Sequence, residues 1–176
     1  MNLTTSLHPR LCGLPAVLLE SLGRCQGAAA LIQHFGAQAP LTAALQHPRP
    51  SEVRHVHLPE LGLSLELDCC HPEVAQELRL WGLRSFTLDG ACWQGTWPEG
   101  LDPAQTSGAE LAGLLAADPA QTLLSPDMAC FAVSGPENRI WSVLALFPPR
   151  SSRLRSLALV HLGEWRTAPE AELSRA

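Results

Sequence analysis

The chain has 176 residues, of which 46% are hydrophobic but only 5% aromatic, with no tyrosine; its interior must be built mainly from leucine, alanine and valine, in one domain or two small halves sharing a core. All twelve basic residues are arginine and the net charge is −5, with no basic cluster beyond Arg150, Arg153 and Arg155. That balance argues against nucleic acid as a partner and favours a neutral or basic protein.

Near the N-terminus, Leu11 to Leu19 imitates a signal peptide after Arg10, but Pro15 interrupts the run and Glu20 closes it. Leu14 to Gly23 places Leu14, Val17, Leu18 and Leu22 on one helical face, and Ala28 to Gly36 does the same with Leu31, Ile32 and Phe35. Two short helices are therefore predicted to open the chain. After the proline-bounded stretch His47 to Pro50 the period changes to two. Leu61, Leu63, Leu65 and Leu67 fall on one side of a strand, and Gly62, Ser64, Glu66 and Asp68 on the other. Val53 to Leu58 is its predicted partner across a turn at Pro59 and Glu60. Leu78 to Leu88 reads as a third strand broken near Gly82, closed by the turn signal Asp89-Gly90.

Ser107 and Glu110 have the spacing of a capping box, so a helix with Leu111, Leu114 and Leu115 on one face begins there and ends before Pro119. Strands follow at Met128 to Ser134, Arg139 to Phe147 and Leu154 to Leu162. The expected fold is α+β: two pseudo-repeats of helix followed by a three-stranded antiparallel meander, with the helices packed on one sheet face. The first half spans 1–92 and the second 93–166, with 167–176 a polar tail.

No segment approaches the ~20 apolar residues of a membrane span. The six cysteines are irregularly spaced in a chain too large to need staples, and read as reduced and mostly buried, which makes the cytoplasm the expected compartment. His55 and His57, on one side of a strand, lie near Cys69, Cys70 and His71 at the end of the next. There is no C-x-x-C or H-x-x-x-H spacing, so exposed histidines beside buried thiols are expected in place of a metal site. No G-x-S-x-G, P-loop or dinucleotide glycine pattern occurs, and Glu66 and Asp68 read as a solvated sheet surface. Neither catalysis nor a cofactor is expected. The five tryptophans, Trp81, Trp93, Trp97, Trp141 and Trp165, are the bulky residues available to fill a Leu/Ala core.

The stretch Gly95 to Leu101 (GTWPEGL), a Thr106-Ser107 helix start, the pair Leu114-Leu115 and Pro119 together resemble a segment of bacterial immunity proteins that neutralise polymorphic, contact-delivered or type VI secretion toxins. There the form is G-x-[LW]-P-x-G-L, a capped helix ending in L-G-x-P, then a β-meander, preceded by a G-L-x-L-x-[FL]-D strand that Gly62 to Asp68 matches. The helix-then-meander order is also similar to the repeats of β-lactamase-inhibitor and outer-membrane-assembly lipoprotein folds. The helix end departs from the pattern, running Leu115-Ala-Ala-Asp-Pro119. The resemblance implies a monomer or weak homodimer that binds a cognate toxin and occludes its active surface. Ser64, Glu66, Asp68, His55 and His57 are the expected partner-binding residues. A secretion chaperone or adaptor for an effector is the alternative, and a metal-dependent enzyme the third.

Overall fold

The computed structural model describes residues 11, 13–47, 49, 52–70, 80–134, 139–149 and 153–167. Three short helices, α1 (Ala16–Ser21), α2 (Ala28–Phe35) and α3 (Ala39–Ala44), surround a four-residue strand β1 (Arg24–Gly27). A meander follows, of β2 (Val53–Leu58), β3 (Leu63–Cys69) and β4 (Leu80–Asp89). Helix α4 (Gly108–Leu114) leads into a second meander of β5 (Thr122–Ser125), β6 (Met128–Ser134), β7 (Ile140–Leu146) and β8 (Ser156–His161), and β9 (Arg166–Thr167) closes the described chain.

These strands form one nine-stranded sheet in the order β2-β3-β4-β8-β7-β6-β5, with β1 beside β4 and β9 beside β1. The expectation of two helix-plus-three-strand repeats is therefore wrong. The second meander has four strands and not three, and the two meanders fuse into a single sheet through the antiparallel β4–β8 ladder, Ser85 to Asp89 against Val160 to Ser156. The physical reason is the length of β4. Its ten residues reach past β8, and the first of them, Leu80 to Gly82, take β1 as a second neighbour.

Period-two alternation decides which side is core. Leu63, Leu65 and Leu67 of β3, Phe86 and Leu88 of β4, Val143 and Ala145 of β7, and Leu157 and Leu159 of β8 all point inward. They share one apolar cluster with Leu18, Leu22, Leu31 and Leu41 of the N-terminal helices and Leu111 and Leu115 at α4. Trp81 and Trp141 are fully buried in it, while Trp93 and Trp97 pack against it from the crossover before α4. The same crossover is tied to the N-terminal segment by the Thr96 hydroxyl, which donates to the Gly13 carbonyl. Helix α4 begins with the predicted box: Ser107 accepts from the Glu110 backbone N–H, and Glu110 accepts from that of Ser107 at 2.8 Å. Arg54 closes the C-terminal end of α3 by donating to the carbonyls of Ala44, Gln46 and His47, with its guanidinium over Trp81. A cation suits that end of a helix, where carbonyls are left unpaired.

A second, smaller cluster lies on the opposite face. The segment before β9 lays Trp165 over β4 at Gly82, where any Cβ would overlap the indole. Beneath it are Leu80 and the disulfide Cys25–Cys70. Reading all six cysteines as reduced was therefore wrong. Cys25 and Cys70 are 45 residues apart in sequence, but β1 and the end of β3 flank the same strand, which brings their Cα atoms to 6.6 Å. Cys69, Cys92 and Cys130 carry free thiols. Among the described residues no helix is long and apolar enough to cross a membrane. Of the tail expected at 167–176, Thr167 belongs to β9, and 168–176 lie outside the described residues.

Closing a loop of this length restricts the unfolded chain enough to stabilise the fold by about 3–4 kcal/mol. Denaturant melts of Cys70→Ser should show that loss, and a reducing agent should shift the wild type by the same amount while leaving the variant unmoved.

Candidate functional site

The outer face of the sheet, away from the helices, bears the five residues singled out from sequence. Antiparallel register arranges them in rows: His57 opposite Ser64 opposite Thr87, and His55 opposite Glu66 opposite Ser85. Along each row the side chains are close enough to bond. His57 Nδ1 and the Ser64 hydroxyl are 2.9 Å apart, and the Ser85 hydroxyl donates to Glu66 Oε2 at 3.1 Å. The rows line a shallow depression of about 170 Å³. His55 and His57 are exposed, and Ser64 and Glu66 half-buried.

Asp68 differs from the other four. Its side chain is largely buried and bound by Arg84, whose Nε donates to Asp68 Oδ2 at 2.7 Å and whose terminal nitrogen forms the ion pair. The sequence predicts a free surface carboxylate at this position, and the structure shows an engaged one. The cause is a β-bulge. Glu66 pairs with Ser85 but Leu67 with Leu83, so Arg84 is an extra residue on β4. An extra residue lets two consecutive side chains, Arg84 and Ser85, reach the same face. Arg84 then lies between Asp68 and the Trp165 ring, 5.2 Å from the ring centroid. Hydrogen bonding to Asp68 outweighs partial burial and raises the Arg84 pKa.

Arg84, Ser85 and Thr87 were not among the residues singled out from sequence. The signal for them was the phase slip in LWGLRSFTL, where Leu83 and Phe86 share a face with two residues between them. At the far end of β4, Asp89 accepts from the backbone N–H groups of Ala91 and Cys92 at 2.8 and 2.9 Å. Those donors hold its carboxyl below the ordinary value, with the charge of nearby His57 acting in the same direction.

The arrangement offers recognition chemistry: fixed hydroxyls, two imidazoles, a carboxylate and a guanidinium on a rigid ladder. The Ser64–His57 contact stands partly on an inner strand of the sheet. β3 lies between two paired strands, so its backbone N–H groups are committed to the ladder and none is free to stabilise an oxyanion there. Among the described residues no three His, Cys, Asp or Glu side chains gather as a metal site; His71 lies outside them. No protein-family model, curated protein or solved structure matches the chain.

Two measurements follow. Arg84→Met leaves the Asp68 carboxylate without its ion partner, and with Arg84 partly solvated the cost in an equilibrium melt should be about 1–3 kcal/mol. The Asp89 carboxylate has a depressed folded pKa, so its contribution to stability is complete above the ordinary value of 3.8 and drains away as pH falls below it. Asp89→Asn should flatten that acid limb of the stability profile.

Proposed function

We propose that the protein is a bacterial immunity protein that binds a cognate toxin and neutralises it by covering the toxin's active surface. The observation behind this reading is the outer face of β2, β3 and the Ser85–Asp89 part of β4, where His55, His57, Ser64 and Glu66 stand on paired strands and, among the described residues, no helix packs over them. Side chains fixed on a ladder bind without losing much freedom, which favours a high-affinity inhibitor. Asp68 supports the face indirectly, by fixing Arg84. A stable complex buries about 800 Å² on each partner, more than this depression offers. The contact would therefore extend across the half-buried Ala158 and Val160 of β8 and Ser142 of β7. The acidic chain speeds encounter with a basic toxin. The resemblance of residues 62–68 and 95–119 to immunity proteins points the same way.

The disulfide bears on where this occurs. Bonds of this kind persist in oxidising compartments, so the proposed site of action is the periplasm or another oxidising space, and not the cytoplasm expected from the sequence.

The test is co-expression with the protein encoded beside it. The wild type should co-purify with that protein and relieve its toxicity, whereas Glu66→Arg combined with His57→Trp should lose both effects while melting within about 1 kcal/mol of wild type, as surface substitutions do. Full protection by the double variant would show that the toxin sits elsewhere.

A further inference from the structure

The opposite edge of the sheet has a different character. Among the described residues β5 pairs with β6 alone, and it ends the strand order. Its sequence, TLLS, has no charge, proline or bulge, the usual devices that protect an edge from strand addition. Leu123 and Leu124 are 59% and 46% exposed on successive positions, one on each face. Leu124 pairs with fully buried Ala129 and so belongs to the core side, where a leucine should be covered. It is not covered, because the seven-residue α4 stops short of it. Between helix and strand runs an apolar trough of about 480 Å³, lined among others by Ala109, Ala112, Gly113, Ala117, Thr122 and Leu124.

A strand edge alongside an apolar trough is the geometry in which an extended peptide adds to a sheet and drops alternate side chains into the cleft. Charge selects the occupant. From Ser85 to Asn138 the chain has no Arg, Lys or His. Asp118 stands just before β5, capping the turn that leads into it, and Asp127 just after it, accepting from the Ser125 hydroxyl. A second copy pairing antiparallel would bring Asp118 of one chain near Asp127 of the other, and like charges oppose that.

We propose that the β5 edge and the α4–β5 trough bind, by strand addition, an extended segment of a partner protein that has aliphatic residues at alternate positions and Arg or Lys on both flanks. Four strand residues span about 13 Å, so the two basic residues stand about five apart. This surface is separate from the β2–β4 face, and the proposal holds whether or not the partner is a toxin.

The probes are two labelled hexapeptides, RTVTVR and ETVTVE, followed by fluorescence anisotropy and by amide exchange of the whole protein. RTVTVR should bind with a Kd of about 10–100 µM, at least tenfold tighter than ETVTVE, weaken with salt, and slow exchange in β5. A Cβ at Gly113 meets nothing within 4 Å, so Gly113→Phe can fill the trough from the helix side; it should abolish binding with the melting curve unchanged. Asp118→Asn with Asp127→Asn keeps both side-chain acceptors and should erase the preference between the peptides, which tests the proposal even if the Gly113 variant folds poorly. Equal binding of both peptides, no binding of either at about 1 mM, or concentration-dependent dimerisation blocked by Gly113→Phe would each overturn it.

Discussion

The ladder between β4 and β8 joins two meanders that are far apart in sequence into one sheet, and every other feature of the fold depends on that fusion. Leu157 and Leu159 of β8 can be buried because β4 lies beside them, and Phe86 and Leu88 of β4 because β8 does. In either meander alone the strand at the junction, β4 or β8, would have an unpaired edge along this ladder. Joined, they form a surface wide enough for all four helices to cover on one side. The length of β4 then leaves Leu80 to Gly82 to take β1 and, through it, β9.

The same strand organises the outer face. Near its middle it bulges to place Arg84 against Asp68 and Ser85 against Glu66; at its C-terminal end it positions Asp89 near His57. The bulge and the disulfide are neighbours, since Cys70 is two residues past Asp68 and bonds to the Leu80 carbonyl through its backbone. The candidate recognition face is thus stiffened from behind by packing and from the side by a covalent bond. The far edge at β5 has neither support, which is why its leucines remain open.

Elements with a strong period were legible in the residues. β2 and β6 occupy the predicted Val53–Leu58 and Met128–Ser134, the leucine alternation of β3 marks its buried side, and the capping box of α4 forms as read. Short elements were not. RCQG at β1 and TLLS at β5 are too brief to show alternation, and their strand character comes from the neighbours they pair with. Helix α3 was missed as well, because APLTAA has one buried residue and no repeating face. Missing β5 hid the fourth strand of the second meander and produced the mistaken picture of matched halves. The disulfide was invisible for a related reason: its partners meet only because β4 lies between their strands. Of the site, His55, His57, Ser64 and Glu66 could be placed on one face from period alone. The engagement of Asp68 could not, since it depends on a bulge on another strand.

Trp165 has an optical consequence. Trp81 and Trp141 are sealed in the main core, whereas Trp165 rests on Gly82 with its ring 5.9 Å from the His161 imidazole and beside the Arg84 guanidinium. Its emission therefore responds to events on the outer face of the folded protein. A change in the surroundings of the disulfide or in the seating of the final strand would be visible in Trp165 while the two buried indoles stay silent.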